Sequence, residues 1–284
     1  MIITPETQSR DEWLDNRKTY LGGTDIAAIL GLNKYRSPYD VYAEKVLGER
    51  SETSRKAEAG TALEPLVRKW YSEELGVQIA EAGTIRHDEH PFLAANIDGY
   101  IPGVCVWECK TYDFSTAQNW GEANTDQVPV HYWAQVQWYT GFAKLPYAVI
   151  VALDRGTMDY TCYEVKHDPE TFALMIEQGV KFWNAHVLAG VAPGLTTADT
   201  SRIAELFPEP TVAESLISTP ELDAVIDEAM DLTNKVKPLN DHLKDLKAQI
   251  HIACAEYPGI HSAWGVVKHV RTKAGSSYIK LPTR

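Results

Sequence analysis

The stretch that most restricts the fold is Phe92 to Tyr112, FLAANIDGYIPGVCVWECKTY. Two apolar runs flank Pro102 and Gly103, a turn pair, and predict two strands joined by a tight turn. Side chains alternate faces along a strand. On the second strand Val104, Val106, Glu108 and Lys110 share one face, and Cys105, Trp107 and Cys109 share the other. The first strand is expected to end in Asp98. An Asp, a Glu and a Lys thus converge at one end of the hairpin, in apolar surroundings. Buried charges need partners because desolvation is costly. Two neighbouring carboxylates also repel, which a shared proton or a bound divalent cation relieves. Carboxylate oxygens suit a hard ion such as Mg²⁺. A Lys beside them can orient or polarise a water, or stabilise charge on a phosphate. A surface hairpin closed by a salt bridge is the other reading of the same triplet.

The remaining chain supplies the layers around this hairpin. Thr7 to Tyr20 has the pattern of a polar helix burying Trp13 and Leu14. Gly22-Gly23 breaks it, and Thr24 or Asp25 is placed to cap a helix through Leu30. That helix start offers free N–H groups and a hydroxyl, a natural phosphate seat, and Arg17 can reach the same anion. An N-cap beside an exposed Arg is the structural alternative. A further helix opens at Pro38 and closes at Gly48. Helical periodicity runs from Leu63 to Gly76, with Pro65 marking a start or a bend. Glu64 is either an acid that favours the helix dipole or a third carboxylate for the metal centre. Val77 to His87 is expected as a strand, and Ser115 to Asn124 as a short helix or loop carrying Trp120. Val130 to Phe142 forms an amphipathic helix on which Gln135 sits among aromatics. A buried Gln must find partners, at the hairpin site or on the backbone. Pro146 to Leu153 is a buried strand, Met158 to Lys166 its neighbour, and Pro169 to Ala189 a helix.

The 284 residues allow one large domain and an appendage, here residues 1–190 and 220–284 joined by a linker at 191–219 rich in Ala, Pro, Gly and Thr. From Pro220 a coiled-coil-like pattern runs to Ile250, interrupted by Pro238, and would bury its stripe against another helix or another subunit. A hairpin about Gly275 closes the chain. From His261 onward Lys268, Arg271, Lys273, Lys280 and Arg284 meet no acidic residue. This tail can contact a DNA backbone or an acidic protein surface. The net charge of −12 argues against loose, charge-driven coating of nucleic acid, although a local basic channel stays compatible with it. Cys105, Cys109, Cys162 and Cys254 have neither zinc nor iron–sulfur spacing and are expected as reduced thiols of a cytoplasmic protein. No stretch is apolar enough to span a membrane, and the N-terminus lacks a signal-peptide pattern.

Asp98 followed by Glu108-Cys109-Lys110 resembles the D…ExK core of the PD-(D/E)XK nucleases. The ordered blocks W-x3-R-x3-LGGTD-x-AAILG, G-x3-EP, ANIDG, ECK and AQVQWY resemble the YqaJ-type viral recombinases, relatives of phage lambda exonuclease. The match covers Trp13 to Leu188. It implies an α/β (α+β) fold of restriction-endonuclease type, with a central mixed sheet flanked by helices and a C-terminal helical and hairpin appendage. Asp98, Glu108 and the Cys109 carbonyl would ligate Mg²⁺, two ions per site, with Mn²⁺ also suited to these oxygens. Lys110 would position or activate the attacking water, and Glu64 would be an additional acid. Gln135 would match the family's Gln, with Tyr139 as its Tyr and Gln137 as rival. Arg17 and Thr24 would hold a DNA 5′-phosphate, Thr24 standing where the family usually has Ser.

The implied activity is a metal-dependent 5′→3′ double-strand exonuclease that leaves 3′ tails for phage-type recombination. Its partners would be duplex ends, further copies in a trimer, and a single-strand annealing protein. A phage or prophage protein in the bacterial cytoplasm is the implied setting. A structure-specific or single-strand endonuclease of the same superfamily is the first alternative, and a non-catalytic DNA-end-binding module the second.

Overall fold

The computed structural model describes residues 15–49, 54–209, 215–272 and 276–282. The chain forms two compact units, Met1–Glu209 and Pro210–Arg284.

In the first unit, helices α1 (Gly23–Ile29), α2 (Pro38–Tyr42) and α3 (Arg55–Leu75) precede the strands. Two short strands, β1 (Ile85–Arg86) and β2 (Ala94–Ala95), pair with each other. The main sheet has four strands in sequence order: β3 (Gly99–Ile101), β4 (Cys105–Tyr112), β5 (Tyr147–Asp154) and β6 (Tyr160–Lys166). β3 and β4 are antiparallel, with Gly99 opposite Trp107 and Ile101 opposite Cys105. β4 and β5 are parallel, with Glu108 opposite Ile150, and β5 and β6 are antiparallel. The parallel step requires a crossover, which carries α4 (Val130–Ala143). α5 (Pro169–Phe182) follows β6.

The alternation along β4 sorts its side chains between two cores. Val106, with Ile150 and Ala152 of β5, packs under α1, α4 and α5. Trp107 and Cys109 pack against Val67 and Tyr71 of α3. The face shared by Val106, Glu108 and Lys110 is therefore the one expected, though Val104 lies in the turn and is exposed.

Several local expectations are corrected. Asp98 precedes β3 rather than ending a strand. The run before it is broken at Asn96, whose side chain bonds Thr84 and Tyr20 at 2.8 and 2.5 Å. Val77 to His87 yields only β1 and a single Ala80–Tyr100 rung, because the facing strand β3 is three residues long. α3 starts at Arg55, capped by Ser54, and runs through Pro65. Pro65 and Thr61 are both exposed, so the carbonyl left without its N–H partner faces water. Gly22, not Thr24 or Asp25, is the N-cap of α1, and the Asp25 carboxylate reaches back to accept its N–H at 2.9 Å. Trp120 covers the core, its ring 5.1–5.6 Å from those of Tyr112, Tyr132 and Tyr163. The helix expected over Thr7 to Tyr20 is seen as one turn at residues 15–17, and Trp13 and Leu14 lie outside the described residues.

The expected linker is also partly folded. Thr197–Asp199 and α6 (Thr200–Leu206) dock on α2, where Arg202 bonds Asp40 at 2.9 Å and Glu49 at 2.8 Å, and Asp199 bonds Ser37. Ion pairs thus carry the first unit on to residue 209 rather than 190. In the second unit α7 (Pro220–Cys254) continues through Pro238, which is exposed. The expected hairpin becomes three antiparallel strands, β7 (Gly259–Ser262), β8 (Gly265–Arg271) and β9 (Ser277–Lys280), over a small core of Cys254, Val267 and Ile279. Gly275, Lys273 and Arg284 lie outside the described residues. Among the described residues no helix is long and apolar enough to cross a membrane, and all four cysteines are free.

Candidate active site at the hairpin end

β4 sets Glu108 and Lys110 two residues apart, both facing α4. The Glu108 side chain is 1% exposed, and Lys110 Nζ lies 2.6 Å from its Oε1. From α4, Gln135 Nε2 donates to the same oxygen at 3.1 Å and to the Tyr139 hydroxyl at 2.7 Å. The second oxygen, Glu108 Oε2, is buried without a partner. Asp98 enters from the start of β3 and accepts the Cys109 N–H at 2.9 Å. The N–H and C=O of one strand residue point to the same edge, so the Cys109 carbonyl also faces the Asp98 side. Glu64 comes from α3, on the other face of the sheet. Arg68, one turn on, joins it to the hairpin: Nη2 lies 3.2 Å from Glu64 Oε1 and donates to the Asp98 carbonyl at 2.5 Å.

Protonation follows from this crowding. Burial, with the nearby Asp98 charge, pushes Glu108 up to about 8. Burial and Asp98 likewise push Glu64 up to about 7. Burial alone would lower the Lys110 ammonium, but Glu108 and Asp98 outweigh it and hold Lys110 above its ordinary value. Burial and the neighbouring Lys110 and Lys34 charges press His131 down to about 4. The site therefore has a surplus of acid that Lys110 and Arg68 only partly offset.

The expected residues divide clearly. Glu108, Lys110, Gln135 and Tyr139 touch one another, while Asp98 and Glu64 approach from the β3 side. Gln137 is elsewhere: its Nε2 donates to the Lys166 carbonyl at 2.7 Å and its Oε1 accepts the Asp168 N–H at 2.8 Å. It fastens α4 to the end of β6, away from the Glu108 cluster that Gln135 joins. The start of α1 abuts the cluster. A Cβ on Gly23 would stand 2.9 Å from Tyr139 Cε1 and 3.2 Å from Gln135 Cγ, which only glycine avoids. Thr24, half-buried, follows directly. Arg17 is half-buried too, and its carbonyl accepts Lys45 Nζ at 2.7 Å.

Beside α1 the sequence reading missed a second buried charge cluster. Asp25 Oδ1 pairs with Arg36 at 2.8 Å and Oδ2 with Lys45 at 3.0 Å, and Arg36 also meets Glu44 at 2.7 Å. Burial would raise the Asp25 pKa, but Lys45, Arg36 and Arg17 together hold its carboxyl well below the usual range. Arg68 and Tyr132 were missed as well; Lys110 Nζ lies 4.9 Å from the centre of the Tyr132 ring. The spacing of four from Glu64 to Arg68, and of three from Tyr132 to Gln135, was the available signal.

Among the described residues no three His, Cys, Asp or Glu side chains form a group able to hold an ion. The Cys109 N–H, Lys110 and Arg68 occupy the acids instead. The donor set still suits a hard cation, because the orphaned Glu108 Oε2 and the raised acids are groups that a divalent ion would satisfy.

With this geometry in view, the likeness to known proteins has a physical content. The alkaline exonuclease LHK-Exo of Laribacter hongkongensis superposes with a TM-score of 0.53 at 23% identity, over 63% of this chain and 93% of that one. The same protein in complex with dAMP gives 0.52 at 20% identity over the same shares. The fold is the restriction-endonuclease-like fold of the phage-type alkaline exonucleases. A profile of the YqaJ-like viral recombinase domain matches residues 12–145. The YqaJ protein of Bacillus subtilis (strain 168) is 32% identical over 257 residues, covering 85% of this chain and 77% of that protein. The chain belongs to the YqaJ-like viral recombinase family.

Proposed function

We propose that the protein is a metal-dependent deoxyribonuclease that digests duplex DNA from its 5′ ends and leaves 3′ tails for recombination. The observation that carries this reading is Glu108: wholly buried, one oxygen held by Lys110 and Gln135, the other left without a partner in an acid-rich site. A divalent ion bound by Asp98, Glu108 and the Cys109 carbonyl, with Glu64 close by, would neutralise phosphate charge and acidify water. Two such ions, Mg²⁺ or Mn²⁺, fit the chemistry of these oxygens. The chain's own groups do the rest. Lys110, kept charged by its neighbours, orients the attacking water and offsets charge on the scissile phosphate. Gln135 and Tyr139 hold the Glu108 carboxylate in place. Arg17 and the α1 start with Thr24, directly beside Gln135, would seat the terminal 5′-phosphate, which would set the polarity. Further copies in a ring and a single-strand annealing protein complete the proposed setting, that of a phage protein at work in the bacterial cytoplasm.

The test is digestion of linear duplex DNA bearing 5′-phosphates, each strand labelled in turn, beside a closed circle. Release of 5′-ended nucleotides from the linear substrate only, abolished by chelator and by Lys110→Ala, supports the proposal. Cutting of the circle would replace it with an endonuclease. Tight binding to ends with no cutting under any divalent ion would leave a non-catalytic end-binding module.

A further inference from the structure

The loop that leads from α1 into α2 holds an aromatic ring at the surface that neither the core nor the carboxylate cluster uses. Tyr35 is 65% exposed, yet its backbone is fixed. Its N–H donates to the Asn33 side chain at 2.9 Å. Arg36 is tied to Asp25 at 2.8 Å, and Ser37 caps α2 by accepting the Asp40 N–H at 3.0 Å. With anchors on both sides, the loop needs little further ordering when a ligand arrives. A single exposed tyrosine is ordinary; what sets this one apart is the row of rings behind it. Tyr35 stands edge-on to His131 with ring centres 6.1 Å apart, and His131 lies 4.1 Å from Tyr132. Lys110 Nζ lies 4.9 Å from the centre of the Tyr132 ring. The row thus runs from solvent to the lysine of the carboxylate cluster.

A cleft of 520 Å³ opens along this row, a volume in the range of small-ligand sites. Its walls include Ala28 and Gly31 after α1, Lys34 and Tyr35 of the loop, and Val130 and His131 at the start of α4. The Lys34 ammonium lies 5.0 Å over the Tyr35 ring. Among the described residues that line the cleft, Lys34 and Arg36 bring positive charge and no Asp or Glu is present. The chain as a whole carries −12, so this local reversal singles the cleft out. Burial and the Lys110 and Lys34 charges keep His131 uncharged at neutral pH, and its ring adds an aromatic surface rather than a charge. Aromatic faces joined to positive charge, with acids excluded, are what a single strand of nucleic acid needs from a groove.

We propose that this cleft takes an unpaired base of the DNA strand being cut, stacked on the Tyr35 ring and bordered by His131, with Lys34 against its phosphate. The assignment rests on the nuclease reading, since Lys110 at the inner end of the row is what ties the cleft to the scissile phosphate. Stacking asks only for a π-face, so the cleft accepts all four bases and suits digestion without regard to sequence. It also favours a frayed end over intact duplex, in which neighbouring bases already cover those faces.

Equilibrium binding of a 5′-phosphorylated single-stranded oligonucleotide in Mg²⁺ tests this, with Lys110→Ala present to block cutting. The base 2-aminopurine, whose fluorescence falls when it stacks, replaces each of the first few bases in turn. Quenching is expected at one or two of these positions. Adding Tyr35→Ala is expected to abolish that quenching and to weaken binding by about tenfold. Tyr35→Phe, which keeps the ring, is expected to retain both. An abasic residue at the quenched position is expected to cost the chain with Tyr35 the same factor and the Tyr35→Ala chain nothing more. Equal binding by Tyr35→Ala, or a Phe variant as poor as the Ala variant, would overturn the proposal. So would an abasic penalty that persists in Tyr35→Ala. The nuclease reading fails separately: a chain with Lys110 intact that binds and quenches but leaves DNA uncut would end that reading, while the dependence on Tyr35 would still support the stacking contact.

Discussion

Two buried charge clusters lie on either side of the α1 start, and they are built on opposite principles. Around Asp25, Arg36 and Lys45 pair with both carboxylate oxygens, Arg17 adds a further positive charge, and the acid is fixed in its ionised form. Around Glu108, one oxygen is held, the other is not, and Asp98 and Glu64 add more negative charge. The first cluster closes its own charge and therefore serves the fold. The second is left short of positive charge and therefore awaits it from outside. Burial alone does not distinguish the two. The bookkeeping of partners does, since an unmatched buried acid costs stability that a structural site has no reason to sacrifice.

Substitutions at the open cluster should cost activity and spare stability. Lys110→Ala and Glu108→Gln are each expected to slow DNA digestion by about 10³-fold or more, as for loss of a group that stabilises transition-state charge. The denaturation midpoint of Glu108→Gln in chelator is expected to hold or rise. A midpoint that collapses with activity would erase the contrast between the clusters.

The closed cluster should behave in the reverse way. Asp25→Asn leaves Glu44 as the acid facing both Lys45 and Arg36 and is expected to cost about 3 kcal/mol in urea unfolding. A loss below about 1 kcal/mol would mean that Arg17, Lys45 and Arg36 are held by something other than Asp25.

The two clusters also answer pH with opposite sign. Asp25 has a depressed pKa in the folded chain, so its contribution is present above about pH 3.9 and is lost as the pH falls further. Glu108 has a raised pKa of about 8. Its contribution is full below about pH 4.3 and is lost as the pH climbs toward that folded value. In chelator, stability should therefore fall by about 1 kcal/mol per pH unit from neutrality toward pH 8. Glu108→Gln should flatten that slope, and so should a saturating divalent ion. Denaturant titrations across this range give the answer; an unchanged slope in Glu108→Gln would move the titration to Glu64 or elsewhere.

The smallest effect is expected at Tyr139→Phe. It removes one acceptor of the Gln135 amide while leaving the bond to Glu108. A loss of about 1 kcal/mol in stability is expected, with a several-fold fall in digestion rate. A fall as large as that of Lys110→Ala would make Tyr139 part of the chemistry rather than a support for Gln135.

What the sequence by itself determined is what local periodicity can encode. The two-residue alternation of β4 gave the shared face of Glu108 and Lys110 and the opposite face of Trp107 and Cys109. The helical spacing gave α4 and α5, and the heptad spacing gave the stripe of α7. Tertiary structure decided which of these faces meet. Gln135 and Gln137 are two residues apart on one helix and equally polar, and only the docking of α4 on the sheet sends one to Glu108 and the other to the end of β6. The Asp25 cluster was illegible for the same reason: Asp25, Arg36 and Lys45 have no periodic relation and are joined only by the turn of the chain from α1 into α2. Pro65 lies inside α3 rather than at its start, and Pro238 does not end α7: each proline costs its helix a hydrogen bond and some strain, and water at the exposed surface can take the orphaned carbonyl, which is a property of the folded chain. Local pattern sets which side of an element a residue occupies, and packing sets what stands opposite. A charge becomes a structural anchor or an open site according to that second fact alone, because its energy depends on its partners and not on its own identity.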